Sequence, residues 1–353
     1  MSDTDLEIKA PPEYLAELMY SVFVARAVHV FADLGIADRL ADGPLSSSRL
    51  AADADVQAVP LHQVLRAVAS LGLLQSVPGS ESGPEQRWEL TADGSCLREG
   101  HPSAMLDMVR TLQGPTAWGC LSVLSQRVAT GRTGPEIAFG QTYFDRLLES
   151  PEEKAAHNNT MIAAHGSEPA AIAGTYEFDR ATQVADIGGG IGTLLSTILA
   201  RHTHLTGVLL EQPSVIGQAE TVVANAGVAE RCELVGGDFF QTVPAGADVY
   251  ILSHILHDWD DDSCLRILRR CAEAMTPRSR LLIVEMVLPD TDEPHVGKVL
   301  DMVMLTLVSG MERTREGYRQ LLDAAGLRVR RTIAVDASPI SIVEAALGAA
   351  PTD

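Results

Sequence analysis

The sequence predicts a protein of two parts, with a mainly helical first half and an α/β second half. Segment 184–193, VADIGGGIGT, passes from apolar residues through Asp186 into clustered glycines, and helical apolar spacing follows over 193–201. A buried strand, a tight glycine turn and a helix open a nucleotide-binding unit, because the backbone can approach a ligand that the helix N–H groups face. Short apolar runs then alternate with helical patterns, which is typical of a parallel sheet.

Length and charge limit the classes of function. The 353 residues are enough for two domains, each with its own core. Asp and Glu outnumber Lys and Arg by 47 to 27, which gives a net charge of −20. This charge argues against nucleic acid as the main partner, because phosphate binding relies on basic surface.

The cysteines and the first residues indicate a soluble, cytoplasmic protein. The five cysteines are scattered without a C-x-x-C pair, which suits reduced cytosolic thiols and shows no metal cluster. The opening residues, MSDTDLEIKAPPE, are polar and acidic, unlike a signal peptide. No apolar run is expected to be long enough to cross a bilayer, so no membrane partner is predicted.

The first long segment, 13–40, reads as a helix with apolar residues around most of its circumference. A helix that is apolar all round is buried. Burial against a second subunit and burial in an ordinary domain core fit the pattern equally well. We therefore expect either a homodimer contact or a core helix here.

Residues 44–90 predict a winged helix. A helix capped by Ser46–Ser48, a second helix over 60–71 and two short strands at 73–77 and 87–90 follow in that order. DNA binding is one interpretation, but the second helix offers only His62, Gln63 and Arg66 as contacts. Because the net charge is strongly negative, a structural wing for dimerisation or for covering a site is favoured.

Residues 102–180 are helical in composition, with turns at 114–115, 131–135 and 150–151. Several side chains in this stretch could line a pocket beside the α/β domain. Ordinary core packing is the more frequent fate of aromatic residues and Met. The candidates are Phe139, Tyr143, Phe144, Asn158, Met161 and His165.

The C-terminal half adds polar residues where predicted strands end. The strand at 205–210 ends in Glu211, 25 positions after Asp186, where such folds bind ribose hydroxyls. Further strands are predicted at 233–235, 248–252, 280–287, 327–335 and 341–345, with helices at 261–275 and 314–325. The fingerprint G-x-G-x-x-G is broken, because Thr193 takes the last glycine position, which disfavours an NAD-dependent dehydrogenase.

Six motifs occur in a fixed order along this half: DIGGGIG, LLEQPSV, GGDFF, LHDWDD, LLIVEMVLP and GMERT. The series resembles the S-adenosylmethionine-dependent O-methyltransferases of the caffeic acid type, most nearly the bacterial members that act on natural products. The resemblance covers nearly the whole chain. It implies an N-terminal, mainly α winged-helix dimerisation domain over 1–101, a helical linker and substrate lid over 102–180, and a Rossmann-like methyltransferase domain over 181–353.

The resemblance also implies a cofactor site for S-adenosylmethionine. Gly188 and Gly190 would lie under the methionine part, and Glu211 would accept hydrogen bonds from the ribose hydroxyls. Glu211 replaces the Asp that is more usual in plant members. The other residues of the implied site are Asp186 beside the glycines, Asp238 and Phe239 at the adenine, and Ser253, which stands where plant relatives carry Lys.

His257 falls on the family's catalytic base, and Glu285 and Glu312 fall on the two acids that flank it. A histidine with a pKa near 6.5 is expected to accept the acceptor's hydroxyl proton at neutral pH. The two carboxylates would orient the imidazole and stabilise its charged form. Glu285 lies in an otherwise apolar strand, where a buried charge needs a partner.

Two neighbours of His257 are harder to assign from the sequence. Asp258 could position the substrate or cap the helix that begins near Asp261. His254, three residues before His257, could form a metal pair, but no third ligand is apparent in the sequence, so no metal is predicted.

The sequence thus predicts a homodimeric, metal-independent enzyme that methylates a phenolic or enolic hydroxyl of an aromatic or polyketide-like secondary metabolite. The acceptor-pocket candidates are Phe139, Tyr143, Met161, His165, Asp258, Asp301, Met302 and Leu305. The Met-rich stretch 299–308 suits a flat apolar acceptor and equally a helix packed in the core. Two alternatives remain: the fold diverted to hydroxylation or decarboxylation, and a winged-helix regulator with a ligand-sensing domain.

Overall fold

Helices dominate the chain as far as residue 175. The computed structural model describes residues 13–336 and 338–348, and it divides into two units. The first unit contains the residues up to Gly119 and Phe144–Ala164, and the second contains Cys120–Tyr143 and the residues from His165 onward. In chain order these helices are α1 (Glu13–Asp33), α2 (Ile36–Arg39), α3 (Ser47–Asp53), α4 (Ala58–Ser70), α5 (Ala92–Ser95), α6 (Met105–Gln113), α7 (Pro115–Ser122), α8 (Leu124–Thr130), α9 (Gly134–Ala138), α10 (Tyr143–Glu149), α11 (Pro151–Ala164) and α12 (Glu168–Thr175).

The predicted helix over 13–40 is interrupted. Gly35 has φ of +59°, a conformation that glycine adopts without steric cost, and it separates α1 from α2. The end of α1 is buried at Phe31, whereas its first half exposes apolar side chains, among them Phe23 at 71%. A core helix would not leave this face open, so the exposed apolar half of α1 favours a contact with a second subunit.

By length and composition α1 could also cross a bilayer, and the expectation that no segment is long enough is wrong for this helix. Among the described residues α1 is the one helix that is both long and apolar enough; it lies near the N-terminus and is largely unburied. Membrane spans and apolar interface helices share this composition.

A small wing follows in the first unit. Strands β1 (Leu45–Ser46), β2 (Leu74–Ser76) and β3 (Arg87–Leu90) form an antiparallel sheet in the order β1-β3-β2, beside α3 and α4. Ser47 accepts a hydrogen bond from Trp88 Nε1 at 2.8 Å and lies 3.0 Å from His62 Nδ1. His62 is therefore buried in the wing's core, and its candidacy as a DNA contact is wrong.

The second unit is built on a sheet of eight strands with helices on both faces. Its elements are β4 (Gln183–Ile187), α13 (Thr193–Arg201), β5 (Thr206–Glu211), α14 (Ala219–Asn225), β6 (Cys232–Gly236), β7 (Val249–Ser253), α15 (Asp261–Ala274), β8 (Arg280–Leu288), α16 (Val296–Leu307), β9 (Arg313–Thr314), α17 (Arg315–Ala324), β10 (Leu327–Ala334) and β11 (Ile340–Leu347). The order is β10-β11-β8-β7-β4-β5-β6, with β9 paired to β8.

The sheet order confirms the predicted Rossmann-like fold. The strands from β6 to β8 are parallel, and β11 and β10 are added antiparallel. Apolar residues of α15 and α17 cover one face, and those of α12, α13 and α14 cover the other. Because both faces are covered, the carboxyl ends of the parallel strands form the open edge where a ligand binds.

Candidate active site

The glycine turn after β4 is shaped for close backbone approach. Gly188 and Gly190 have φ of +72° and +59°. A Cβ on Gly188 would lie 2.7 Å from Ile255 Cδ1, and one on Gly189 would lie 2.3 Å from Asp186 Oδ2, whereas one on Gly190 would meet nothing within 4 Å. Gly188 and Gly189 thus pack so closely against neighbouring side chains that neither has room for a side chain of its own. Gly190, in contrast, faces open space.

Two carboxylates flank this turn. Asp186 is fully buried, and its burial, with the negative charge of Glu211 nearby, raises the pKa of Asp186 to about 7. Glu211, the last residue of β5, accepts a hydrogen bond from the Gly190 amide at 2.9 Å. The turn and the acidic residue predicted for the ribose are therefore in direct contact.

The remaining cofactor candidates lie at the ends of the neighbouring strands. Asp238 follows β6 and accepts hydrogen bonds from the Phe240 amide at 2.8 Å and from Gln241 Nε2 at 3.0 Å. Phe239 contacts the glycine turn, since its ring would lie 3.2 Å from a Cβ on Gly188. Ser253 ends β7.

His257 is held between two buried carboxylates. Its Nδ1 lies 3.1 Å from Glu312 Oε1, to which it is hydrogen-bonded, and 3.2 Å from Glu285 Oε2. Burial alone would lower the pKa of His257, but Glu285, Glu312 and Asp258 outweigh it and raise the pKa to about 10. The expectation of an ordinary pKa near 6.5 is therefore wrong, and the free enzyme carries an imidazolium at neutral pH.

The loop that presents His257 is fixed by contacts with its backbone. Glu285 Oε1 accepts hydrogen bonds from the amides of Ile255 at 3.0 Å and Leu256 at 2.9 Å. Arg313, itself buried, donates to the carbonyl of Leu256 at 2.9 Å and to that of Trp259 at 3.0 Å. The Glu285 carboxylate thus binds two backbone amides of the loop, and the Arg313 guanidinium binds two of its backbone carbonyls.

Two further contacts close the same loop. A Cβ on Gly310 would lie 1.9 Å from the His257 carbonyl oxygen, so only glycine fits there. Cys264 Sγ lies 3.2 Å from the Leu256 carbonyl oxygen and 3.4 Å from that of Trp259, and burial raises the pKa of this thiol to about 12. Gly310 and Arg313 belong to the GMERT motif, but their contacts with this loop and that of Cys264 were not predicted, because nothing local marks a residue that contacts a distant loop.

Asp258 faces the other nitrogen of the imidazole. Its Oδ1 lies 3.8 Å from His257 Nε2, and burial raises the pKa of Asp258 to about 6 although His257 opposes the rise. Asp260, not Asp258, caps α15 by accepting from the Ser263 amide at 2.8 Å. The interpretation of Asp258 as a helix cap is therefore wrong.

A second histidine cluster lies beside the first. Glu168 Oε2 is 2.9 Å from His165 Nδ1 and 2.8 Å from His254 Nε2. Burial opposes ionisation, but the two histidines lower the pKa of Glu168 to about 2. The His165 and His254 rings are tilted by 38° to each other with centroids 3.8 Å apart, and the ring centroids of His254 and His257 are 5.6 Å apart.

Glu168 was not predicted as a site residue, and His254 was not predicted as a metal ligand because no third ligand was apparent in the sequence. That reason is wrong, because His165 and Glu168, and separately His257 and Glu285, bring donor atoms within 4.8 Å of those of His254. The two residues meet across the turn between α11 and α12, where the Glu168 amide donates to the His165 carbonyl at 3.1 Å.

The other pocket candidates are dispersed. Asp301, on α16, accepts a hydrogen bond from the Glu312 amide at 2.8 Å and so supports the acid beside His257. Met302 and Phe139 are exposed, Leu305 is partly exposed and Tyr143 is buried. Met161 belongs to α11 in the first unit.

Comparisons with known protein families match both halves of the chain. The O-methyltransferase domain family matches residues 122–328, and the O-methyltransferase dimerisation domain matches residues 16–100. The chain is 39% identical to the phenazine O-methyltransferase PhzM of Lysobacter antibioticus, over 94% of this chain and 95% of that protein.

Solved structures agree. The mitomycin 7-O-methyltransferase MmcR is similar with a TM-score of 0.87 and 33% identity, over 95% of this chain and 97% of that one. The O-methyltransferase NcsB1 of neocarzinostatin biosynthesis, in complex with S-adenosylmethionine and 2-hydroxy-5-methyl naphthoic acid, gives a TM-score of 0.78 at 31% identity, over 92% and 95% of the two chains.

Identity at this level does not by itself fix the reaction. The aclacinomycin 10-hydroxylase RdmB of Streptomyces purpurascens is 31% identical, over 92% of this chain and 85% of that protein. The family match covers more than half of the chain and agrees with the strand order and the glycine turn. This chain belongs to the O-methyltransferase family.

Proposed function

We propose that the protein transfers the methyl group of S-adenosylmethionine to a phenolic or enolic hydroxyl, with His257 handling the hydroxyl proton. The observation that carries this proposal is the contact of His257 with Glu312 and Glu285, at the strand edge that also bears the glycine turn. A cofactor site and a proton-handling group at one edge are what methyl transfer to oxygen requires.

The residues of the turn suit the cofactor. Gly190 leaves space for a ligand against the backbone, and the carboxylates of Glu211 and Asp238 can exchange their present backbone partners for ribose hydroxyls and the adenine amine. Phe239 offers an apolar face and Ser253 lies at the end of β7, whereas the buried carboxylate of Asp186 packs beneath the glycine turn. When bound, S-adenosylmethionine supplies an electrophilic methyl on a sulfonium cation.

The raised pKa of His257 changes how its role is described. Because His257 already carries both ring protons in the free enzyme, a neutral acceptor must release one proton to solvent when it binds. An ordinary phenol has a pKa of about 10, the same as that of His257, so the proton that remains passes between the acceptor oxygen and Nε2 at little cost in either direction. The reactive pair is an imidazolium whose Nε2–H faces an ionised acceptor oxygen. Glu312 fixes the Nδ1–H edge, and Asp258 faces the Nε2 edge.

The acceptor is a flat aromatic or polyketide-like metabolite of antibiotic biosynthesis. PhzM and MmcR are named for phenazine and mitomycin, and NcsB1 is solved in complex with 2-hydroxy-5-methyl naphthoic acid, a fused-ring aromatic compound. The dimerisation-domain match and the exposed apolar half of α1 support a homodimer, and the unpatterned cysteines support the cytoplasm as its location.

The test is a methyl-transfer assay with labelled S-adenosylmethionine and a panel of hydroxylated naphthalenes, phenazines and anthraquinones. We expect transfer by the wild-type protein and a loss of about 10²–10⁴-fold in His257→Ala, the range of general acid–base catalysis. His101→Ala, a histidine of the first unit, is the matched control. Undiminished transfer by His257→Ala would refute the role of His257, and binding of S-adenosylmethionine without any transfer would refute the reaction.

The similarity to RdmB supports hydroxylation as a second candidate. Mass spectrometry of the product separates the two, since methylation adds CH₂ and hydroxylation adds one oxygen atom. An electrophoretic shift assay at low salt tests the regulator alternative, and a shift of duplex DNA would favour it.

A further inference from the structure

Three side chains beside His257, those of His165, Glu168 and His254, have no part in the proton transfer. His165 Nδ1 and His254 Nε2 both approach one carboxylate oxygen, Glu168 Oε2, at 2.9 Å and 2.8 Å. Each of the three residues offers one ligand atom within 4.8 Å of those of the other two. Two imidazoles and a carboxylate that converge on one point are the arrangement that binds a metal ion.

A zinc ion fits between these atoms after a small movement. Zinc bonds of about 2.0–2.2 Å to nitrogen and oxygen, at tetrahedral angles, separate two ligand atoms by about 3.4 Å. Each ring nitrogen now lies closer than this to Glu168 Oε2, so it must move away by about half an ångström to admit the ion. Rotation of the side chains is enough for a shift of this size, and the backbone needs no rearrangement.

The three ligands come from two anchored parts of the second unit. His165 and Glu168 flank the turn before α12, where the Glu168 amide donates to the His165 carbonyl at 3.1 Å. His254 follows β7, and its amide donates to the carbonyl of Val284 in β8 at 3.0 Å. His254 also has φ of +54°, a conformation unusual for a residue other than glycine and typical of functional sites. The fold itself therefore holds the three side chains together.

The charge around the three side chains favours a cation. The carboxyl of Asp258 lies close enough to His165 for the two to interact electrostatically, which adds a second acidic group beside Glu168. The whole chain has a net charge of −20, and such a field raises the local concentration of cations. A divalent ion would offset negative charge at this place.

Solvent access and ligand type indicate which ion binds. The side chains of His165 and His254 are 33% and 18% exposed, so an ion can reach them, whereas Glu168 is buried at 9%. Three protein ligands leave the fourth tetrahedral position for water. Imidazole nitrogen suits zinc, whereas Mg²⁺ and Ca²⁺ prefer ligand sets made of oxygen.

We propose that His165, Glu168 and His254 bind a zinc ion through Nδ1, Oε2 and Nε2. The ion joins the turn before α12 to the end of β7. The proposed methyl transfer makes no use of this ion, so the inference does not depend on that function.

Calorimetric titration with zinc tests the proposal on the untagged, full-length protein, stripped with EDTA and free of S-adenosylmethionine and acceptor. We expect one zinc ion per chain with a Kd of about 1 µM or lower, and an excess of Mg²⁺ should not compete. Cobalt(II) is the spectroscopic probe, because it absorbs visible light strongly in a tetrahedral site and weakly with six water ligands. Cobalt bound to the protein should show the strong absorption.

Variants of the ligands should weaken zinc binding. His165→Ala, Glu168→Gln and His254→Asn should each lower the affinity by about 10²-fold or more, since loss of a ligand costs at least as much as loss of a supporting partner. Asn is used at 254 because it tolerates positive φ. His204→Ala, at an exposed histidine of the same unit, is the matched control and should bind zinc as the wild type does.

Thermal unfolding gives a second readout and shows that each variant is folded. An ion that binds the folded state alone stabilises it, so zinc should raise the Tm of the wild type and of His204→Ala. The Tm of the three ligand variants, measured first in EDTA, should stay unchanged when zinc is added.

Three results would overturn the proposal. Absence of tight zinc binding by the wild type would leave the three side chains as a hydrogen-bonded support, and methyl transfer would still stand. Full affinity in both His165→Ala and Glu168→Gln would place the ion on the acidic surface. Binding lost in His257→Ala but kept in His165→Ala would assign the ion to the other group of ligand atoms, formed by His254, His257 and Glu285.

Discussion

Two clusters of histidine and glutamate lie side by side, with the His254 and His257 rings 5.6 Å apart, and have opposite electrostatic character. At His257, two carboxylates face one imidazole and hold the ring as a cation with a pKa of about 10. At Glu168, two imidazoles face one carboxylate and lower its pKa to about 2. The same residue types thus produce a proton-holding imidazole in one place and a carboxylate that stays ionised in the other, because the ratio of acids to bases is reversed.

Asp186 provides a third case, a buried carboxylate without a histidine partner in the part of the chain that the structure describes. Burial raises the pKa of Asp186 to about 7, and Glu211 adds to the rise. Across the three sites, the number of imidazoles per carboxylate determines which group titrates and in which direction. Four substitutions test this comparison, and the first changes the loop that holds His257 between its two carboxylates.

Gly310→Ala should have the largest effect, because it displaces the loop that brings His257 to its two carboxylates. The added Cβ would overlap the backbone of residues 257–259. We expect a loss of about 3 kcal/mol in the free energy of unfolding, at the upper end for overpacking, and roughly 10²-fold in kcat from the displaced histidine. Urea unfolding and steady-state kinetics measure the two effects.

The control is Gly317→Ala, at the start of α17, where the added Cβ meets its nearest neighbour at 3.4 Å. It should leave both quantities nearly unchanged. Equal behaviour of the two variants would contradict the tight contact at Gly310.

Asp186→Asn should stabilise the ligand-free protein. The folded-state pKa of about 7 exceeds the ordinary 3.8, so the carboxylate disfavours folding above pH 7, and this penalty decreases as the pH falls below 7 toward 3.8. The shift corresponds to about 4 kcal/mol as an upper bound at 1.36 kcal/mol per pKa unit. Urea unfolding should show a gain of about 1–4 kcal/mol at pH 8 that shrinks at pH 5, and an unchanged gain at pH 5 would contradict this origin.

Glu168→Gln should destabilise the protein by about 1–2 kcal/mol at pH 7, the scale of a hydrogen bond to a charged group. The pKa of Glu168 is lowered to about 2, so its contribution is present above the ordinary value of 4.5 and is lost as the pH falls toward 2. The difference between wild type and variant, measured by urea unfolding, should therefore diminish below pH 4.5. A constant difference down to pH 3 would show that the loss is steric.

Glu285→Gln should have the smallest effect on folding and a clear effect on His257. The amide oxygen can still accept from Ile255 and Leu256, but one of the charges that raise the pKa of His257 is gone. We expect the pKa of His257, followed by NMR of protein labelled with carbon-13 histidine, to fall from about 10 by about one unit, or ~1.4 kcal/mol.

Glu344→Gln is the matched control for this variant, since Glu344 is also buried in the same sheet but pairs with Arg331 at 2.8 Å. It should leave the titration of His257 in place. An unchanged titration in Glu285→Gln would mean that Glu312 alone sets the charge of the ring.

The fold was largely predictable because its determinants are local. The strand predicted at 280–287 is observed as β8 (Arg280–Leu288), and the strand predicted at 205–210 as β5 (Thr206–Glu211). The helix over 13–40 was predicted too long, because Gly35 sits among helix-forming residues and its positive φ cannot be read from hydrophobic spacing.

The site was predictable only where a motif carried it. The approach of Glu285 and Glu312 to His257 followed from the resemblance, but the pKa of His257 depends on burial and on three carboxyl groups at once. Glu168 was missed because its partner His254 lies 86 residues away along the chain. Such contacts depend on how loops and helices pack, which periodicity does not encode.

The reactivity of the Cys264 thiol reports whether the loop that carries His257 is closed or open. It lies against the carbonyls of Leu256 and Trp259, and its raised pKa leaves almost no thiolate to react while the loop stays in place. Alkylation of this single side chain therefore requires the loop to open first. The rate of its modification, followed by mass spectrometry, would measure how often His257 leaves its two carboxylates, and ligands that hold the loop closed would slow the modification.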